Sequence, residues 1–216
     1  MQGVMDLLKR VMWLHSSRGL IAFLIVMALA CTGDRKSMPI FGERMFNGTD
    51  TVYHTIAPFA FYNQDSVLIQ NIDVTGKVYV ADFFFTSCRT ICPKMKTQMK
   101  RVYEATEGFD DFMILSHTID PEYDNVKRLK VFAEKLEVDG NRWHFLTGNR
   151  DSIFNLAQTS YFATAMEDKN EPDGYIHSGA FLLIDRKGRI RGKYDGTLKE
   201  DTDRLIADIK RLRLEQ

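Results

Sequence analysis

The sequence has few cysteines and no excess of charge of either sign. Only three of its 216 residues are cysteine, which excludes a small scaffold held together by disulfides. Its 29 Lys and Arg residues balance 29 Asp and Glu residues, so the formal net charge is zero. Because nucleic-acid binding needs a basic excess or a basic stripe, nucleic acid is excluded as the main partner. The cysteines are therefore interpreted as parts of sites and not as structural cross-links.

The N-terminal segment of the chain has the pattern of an export signal. Lys9, Arg10 and Arg18 precede an apolar run, residues 20–29, that is too short to span a membrane comfortably. The run ends in the small-residue sequence Ala-Leu-Ala at 28–30. We interpret residues 1–30 as a signal peptide, which places the rest of the chain outside the cytoplasm.

Cys31 follows this small-residue end directly and resembles the acylated cysteine of a bacterial lipoprotein. The sequence departs from the lipoprotein pattern at Ala28, where lipoproteins usually have leucine. Ordinary cleavage after the Ala-Leu-Ala sequence and an uncleaved anchor remain as alternatives. Acylation with several chains would hold the protein stably at the membrane. The leader therefore predicts a membrane-anchored protein of the bacterial cell envelope that faces the periplasm.

Beyond the leader, the chain divides into a tether and one domain. Residues 31–51 carry glycine, proline and mixed charge without periodicity, which predicts the tether, and the domain is predicted over 52–214. The domain opens with a hairpin of strands at 59–62 and 67–69. Strands and helices then alternate: a strand from 78, a helix to 106, a strand at 112–119, a helix at 126–136, a strand at 143–146, a helix with Asp151 as its N-cap, a loop at 163–175, strands at 179–185 and 190–194, and a helix at 199–212. This layout predicts a thioredoxin-like α/β fold, in which helices flank a central sheet, with an N-terminal β-hairpin.

Two cysteines occupy the turn between the first central strand and its helix. Cys88 and Cys92 have three residues between them, and Pro93 suits the first turn of the helix. Two sulfurs one turn apart at a helix N-terminus can close a disulfide or hold a soft metal ion together. The partial positive charge of the helix N-terminus favours the thiolate, so both cysteines are expected to be reactive.

A histidine precedes the later strand that is expected to face this cysteine pair. In thioredoxin-like reductases a cis-proline stands at the corresponding step, whereas this chain has His177 there. An imidazole and two thiolates form a ligand set suited to copper, because soft sulfur favours Cu(I) and the nitrogen helps to hold Cu(II). Cys88, Cys92 and His177 are therefore candidate copper ligands.

The domain resembles the Sco/SenC copper chaperones of cytochrome c oxidase assembly over residues 52–212. The resemblance rests on four motifs in order: Phe-Phe-Thr-Ser-Cys at 84–88, Cys-x-x-x-Cys-Pro at 88–93, Thr-Ile-Asp-Pro at 118–121 and Tyr-Ile-His-Ser at 175–178. It implies Cys88, Cys92 and His177 as copper ligands. It also implies a membrane-held domain that delivers copper to the dinuclear site of the copper-bearing oxidase subunit, or that reduces the cysteines of this subunit. Departures are Ile176, where the family often has aspartate, and residues 89–91, which lack the glutamate and proline of some members.

The cysteine pair would also suit other functions, and other residues of the domain are candidates for a role. A thiol-disulfide oxidoreductase without metal would use the cysteine pair as a redox pair but leave His177 unexplained. A thiol peroxidase would need threonine at 85 or 89, and an electron-transfer copper domain would need histidine at 96; neither is present. Asp120 remains open between a helix cap and a group that supports the ligands. The other candidates are interpreted as structural: His54, His117, His144, and a core stripe of Met95 and Met99.

Overall fold

Two short hairpins open the part of the chain that the computed structural model describes, which comprises residues 37–168 and 174–215. The first pairs β1 (Arg44–Phe46) with β2 (Thr51–Tyr53), and the second pairs β3 (Ala60–Tyr62) with β4 (Leu68–Gln70). The one-turn helix α1 (Asn71–Val74) follows. The hairpin predicted from residues 59–69 is thereby confirmed.

The compact unit that carries these hairpins extends over residues 38–216. Met38 is buried, and its backbone N–H donates to the Glu215 carboxylate at 2.9 Å. Residues 38–51 of the predicted tether therefore lie within the compact unit, and the domain starts earlier than residue 52. The sequence did not reveal this because β1 is only three residues long and fully exposed, which leaves no apolar alternation to detect. Cys31 and the predicted signal peptide lie outside the described residues.

Parallel strands alternate with helices in the middle of the chain. The elements are β5 (Val78–Phe84), α2 (Cys92–Ala105), β6 (Phe112–Thr118), α3 (Val126–Lys135) and β7 (Trp143–Leu146). Every residue of the three strands is buried, which explains why they read as near-continuous apolar runs in the sequence. The apolar stripe of α2 packs into the same core through Met95, Met99 and Val102.

The last part of the chain closes the sheet. In order it forms α4 (Arg150–Asn155), which continues into a π-helical turn (Leu156–Ser160), then β8 (Ala165–Glu167), β9 (Tyr175–His177), β10 (Ala180–Ile184), β11 (Ile190–Asp195) and α5 (Lys199–Arg213). The five-stranded sheet has the order β11–β10–β5–β6–β7, with β10 antiparallel to both of its neighbours. Helix α5 packs against α2. This arrangement confirms the predicted α/β fold with a helix-flanked central sheet.

Two local predictions from the sequence differ from the structure. Asn149, not Asp151, is the N-cap of α4, because its side chain accepts a hydrogen bond from the Ser152 N–H at 2.9 Å. The predicted loop at 163–175 contains β8 and the start of β9, which pair with each other in a separate two-stranded ribbon. Each of these strands has three residues, and their sequences show neither an apolar run nor a clear alternation that would predict a strand. Within the described ranges, the structure contains no helix that is both long and apolar enough to cross a membrane.

Candidate metal centre

The cysteine pair lies at the end of β5, where the chain turns into α2. Cys88 is in the turn, with its backbone N–H 3.3 Å from the Phe85 carbonyl oxygen, and Cys92 is the first residue of the helix. Both cysteines are buried, and neither forms a disulfide. The buried strand and the helix stripe thus bring the two sulfurs together at one edge of the central sheet.

His177 reaches this pair from β9, 85 residues after Cys92 in the chain. Its Nε2 lies 3.2 Å from the Cys92 Sγ and 4.0 Å from the Cys88 Sγ. The three potential ligand atoms all lie within 4.8 Å of one another, which is the reach of one metal ion. Among the described residues, no other group of three such side chains comes together in this way.

The ring of His177 has the tautomer that a metal ligand needs. Its Nδ1 lies 3.3 Å from the backbone oxygen of Ser178. Since a carbonyl oxygen only accepts hydrogen bonds, Nδ1 carries the proton, and the lone pair of Nε2 points towards the sulfurs. Histidines that bind metals typically donate their second N–H to such a carbonyl. The donor set therefore fits a soft metal ion without rearrangement of the ring.

The two thiols have opposite acidities. The hydrogen bond from Cys92 stabilises the Cys88 thiolate, and a further hydrogen bond from Thr90 adds to this effect, so the pKa of Cys88 falls to about 3 although burial opposes the shift. The same hydrogen bond and burial raise the pKa of Cys92 far above its usual range. At neutral pH the reduced pair therefore holds one proton and one negative charge.

Comparison with known proteins assigns the chain to a family. The family model SCO1/SenC matches residues 47–213. The chain belongs to the SCO1/SenC family. It is 32% identical over 195 residues to the SCO1 protein homolog of Bacillus subtilis. The aligned region covers 89% of this chain and 95% of the relative.

Solved structures of this family share the fold. The structure of BsSco, described as a member of the Sco family of cytochrome c oxidase assembly proteins with a disulfide switch, matches with a TM-score of 0.66 and 33% identity, over 76% of this chain and 95% of that one. The structure of Bradyrhizobium japonicum ScoI with copper bound matches with a TM-score of 0.61 and 24% identity, over 73% and 99% of the two chains. At this identity the second match shows the fold alone.

A cleft of about 200 Å³ beside the cysteine pair opens the site of this SCO1/SenC protein to its surroundings. The ring of Phe85 contacts two side chains of β9, with its centroid 5.2 Å from the Tyr175 ring and 5.6 Å from the His177 ring. The cleft is lined by Phe85, Thr90, Ile91, Tyr175, Ile176 and His177. A partner can therefore approach His177 from this side.

The remaining residues singled out in the sequence lie away from the sulfurs. Asp120 accepts a hydrogen bond from the Tyr175 hydroxyl at 3.1 Å, and it is not the cap of α3, because Asn125 has that role. Met95 and Met99 are buried in the core, as their helical spacing predicted. His54 contacts the Ser160 carbonyl oxygen, His144 contacts Asn63, and His117 is enclosed by aromatic rings.

Two aspartates near the site were missed in the sequence. Burial raises the pKa of Asp82 to about 7, and its Oδ1 accepts a hydrogen bond from the Ser116 hydroxyl at 2.5 Å. A carboxylate in the middle of the apolar strand β5 was the signal that could have identified it. Asp124 is fully buried and accepts a hydrogen bond from the backbone N–H of Thr86 at 2.9 Å. Nothing in its local sequence sets Asp124 apart from an ordinary exposed acidic residue.

Proposed function

We propose that this protein is a copper chaperone that helps to assemble the dinuclear copper site of cytochrome c oxidase. The observation that carries the proposal is the convergence of two cysteine sulfurs and one imidazole nitrogen within 4.8 Å. Thiolates select Cu(I), and imidazole is a good ligand for Cu(II), so this donor set suits copper in both oxidation states. The copper-bearing subunit of the oxidase, or one of its assembly factors, is the proposed partner.

The residues of the site suit the loading and release of a cargo ion. Cys88 is already a thiolate, so one proton, that of Cys92, leaves when both sulfurs bind copper. His177 then completes the site through Nε2. Because His177 lines the cleft, a thiolate of a partner can replace this ligand first, and the two sulfur ligands can be replaced afterwards. The family relationship to BsSco, a member of a family of oxidase assembly proteins, supports the oxidase as the destination.

The proposal includes an extracytoplasmic location. Residues 1–30 would act as the signal peptide, and Cys31 would carry the lipid that holds the protein at the membrane, facing the periplasm. Support comes from the basic head, the short apolar run and the small residues before Cys31. Mass spectrometry of the mature protein tests this part, because an unmodified N-terminus at residue 31 or a retained leader would contradict acylation.

A second candidate function is reduction of disulfides in a partner protein. The low pKa of Cys88 favours it, because the thiolate is the attacking species. The Cys88 thiolate would attack the partner disulfide to form a mixed disulfide. The Cys92 sulfur would then attack the Cys88 sulfur and release the partner, while Cys88 and Cys92 are oxidised to a disulfide. The Cys92 proton passes to one partner thiolate, and the other partner thiolate takes its proton from solvent. A dithiol potential near that of thioredoxin, about −270 mV, would favour this function.

Substitution of the histidine separates the two functions. We expect His177→Ala to weaken Cu(II) binding by at least about 100-fold and to impair oxidase assembly, since it removes the nitrogen ligand itself and not an outer partner. Disulfide reduction should be largely retained, whereas Cys88→Ser should abolish both activities. Anaerobic copper titration and a disulfide-reduction assay provide the two measurements.

A histidine outside the site serves as the control for this experiment. His54→Ala removes an imidazole outside the metal centre that contacts the Ser160 carbonyl oxygen and the Phe162 ring, so copper binding should not change. Normal copper loading and normal oxidase assembly with His177→Ala would contradict the chaperone role of this residue. Retention of dithiol reduction by Cys88→Ser would contradict the redox pairing.

A further inference from the structure

The strand that carries His177 does not belong to the central sheet. Strand β9 pairs with β8 in a separate ribbon of three residue pairs, and its last residue is His177. The backbone beside the central sheet is held as far as Gly179, whose carbonyl oxygen accepts from the Gly196 N–H at 2.6 Å, but these hydrogen bonds do not include His177 itself. Contacts of the β9 side chains therefore contribute to the distance between His177 and the cysteine turn.

Tyr175 makes the polar contact that holds β9. Side chains two residues apart on a strand point to the same face, so Tyr175 and His177 both face the site. The Tyr175 hydroxyl donates to the Oδ1 of Asp120 at 3.1 Å, and its ring packs on Phe85.

The turn that receives this hydrogen bond also holds the cysteine turn. The buried Asp124 carboxylate accepts hydrogen bonds from the backbone N–H and the hydroxyl of Thr86, which lies two residues before Cys88. The hydroxyl of Thr118 donates to the same carboxylate at 2.7 Å and accepts from the Asp120 N–H at 3.1 Å. Hydrogen bonds within residues 118–124, together with those to Tyr175 and Thr86, thus join the histidine strand to the cysteine turn.

We propose that Tyr175 is a positioning residue for His177, and that its hydrogen bond to Asp120 fastens the histidine strand to the turn that also fixes the cysteines. The hydroxyl does not touch the ligand atoms. The hydrogen bond restricts His177 already in the metal-free protein, so that His177 loses less conformational freedom when it binds a metal ion. Cu(II), which depends on the imidazole nitrogen, should respond to loss of the hydroxyl, whereas Cu(I) is held by the two sulfurs.

The test is Tyr175→Phe in the full chain, which removes one hydroxyl and keeps the ring on Phe85. We expect the dissociation constant for Cu(II) to rise about fivefold, which corresponds to the loss of one typical hydrogen bond. The dissociation constant for Cu(I) should change less than about twofold. The paramagnetic resonance spectrum of the Cu(II) form should show a weaker imidazole-nitrogen coupling. Equal losses for both ions, or no loss for either, would overturn the proposal.

A measurement without metal makes the inference independent of the proposed function. In the metal-free, reduced protein, amide hydrogen exchange at residues 175–178 should become about fivefold faster in Tyr175→Phe, because the free energy needed for local opening is lower without this hydrogen bond. Exchange in α2 should stay as in the unaltered protein. Unchanged exchange at 175–178 would overturn the proposal. If copper fails to bind the unaltered protein while the exchange result holds, the proposed function fails and the positioning role stands.

Matched variants separate positioning from a general loss of stability. Tyr123→Phe removes a hydroxyl from an exposed tyrosine in the same turn, whose ring lies against Arg128, and should change neither exchange nor copper binding. Asp120→Ala should reproduce Tyr175→Phe, and the double variant should add nothing further. Asp120→Asn should restore the behaviour of the unaltered protein, because its amide oxygen still accepts the hydrogen bond. A full additive effect in the double variant would contradict a shared hydrogen bond.

Discussion

His117 is a buried histidine with no polar partner for its ring. Its Nδ1 and Nε2 both lack a hydrogen bond among the described residues, and the rings of Phe59, Phe61, Phe83 and Tyr161 enclose it. Burial lowers its pKa to about 3. Between this value and 6.5, the ordinary histidine pKa, the unfolded chain binds the proton and the folded protein does not. Stability is therefore lost as the pH falls through this window.

We expect His117→Leu to raise the free energy of unfolding at pH 7 by about 1 kcal/mol, because it removes two unpaired polar atoms from the core. At pH 5 the gain should be about 2 kcal/mol larger, since leucine takes up no proton in the unfolded chain. Urea unfolding at the two pH values measures both numbers. Met113→Leu, in the same strand, is the control and should show no such pH dependence. A loss of stability with His117→Leu would mean that ordered water satisfies the ring.

Elements with a long apolar pattern were predicted from the sequence, whereas the three-residue strands β1, β2, β8 and β9 were not. The buried runs of β5 and β6 and the apolar stripe of α2 each span several residues, so their period identifies them. The ribbon of β8 and β9 has three residues in each strand and is held by its pairing and by side-chain contacts. Its sequence therefore carries no period, although it places His177.

The local sequence around α4 offers two residues that could form its N-cap. Asn149 and Asp151 are both good capping residues, but only the Asn149 side chain accepts from the N–H of Ser152. We expect Asn149→Ala to lower the free energy of unfolding by about 1 kcal/mol. Asp151→Ala should lower it by only about 0.3 kcal/mol, through the helix dipole. Chemical denaturation measures both, and a larger loss for Asp151→Ala would contradict the assignment of the cap.

At the scale of the whole molecule, buried charges join the first described segment to the end of the chain. The guanidinium of Arg191 donates to Asp185 at 3.0 Å, to Glu215 at 2.5 Å and to the backbone oxygen of Met38 at 2.8 Å. Arg191 and Asp185 are both buried. This network closes the domain around residue 38 and explains why the folded unit begins earlier than the sequence suggested.

We expect Arg191→Ala to lower the free energy of unfolding by about 3 kcal/mol, because it leaves the buried Asp185 carboxylate and the partly buried Glu215 carboxylate with fewer partners. The control is Arg101→Ala, which removes a largely exposed ion pair with Asp203 and should cost less than about 1 kcal/mol. Thermal and urea unfolding of the two variants provide the comparison. Similar losses for both would show that the network around Arg191 adds little to stability.

The cysteine turn, the helix stripes and the family motifs were already present in the sequence, because each depends on residues close together along the chain. The predicted signal peptide and Cys31 acylation remain predictions of that kind. Only the tertiary structure decided that Nε2 of His177 lies 3.2 Å from a sulfur 85 residues earlier. The same holds for the hydrogen bond between Tyr175 and Asp120. Such distances follow from strand order and packing, which no local spacing encodes.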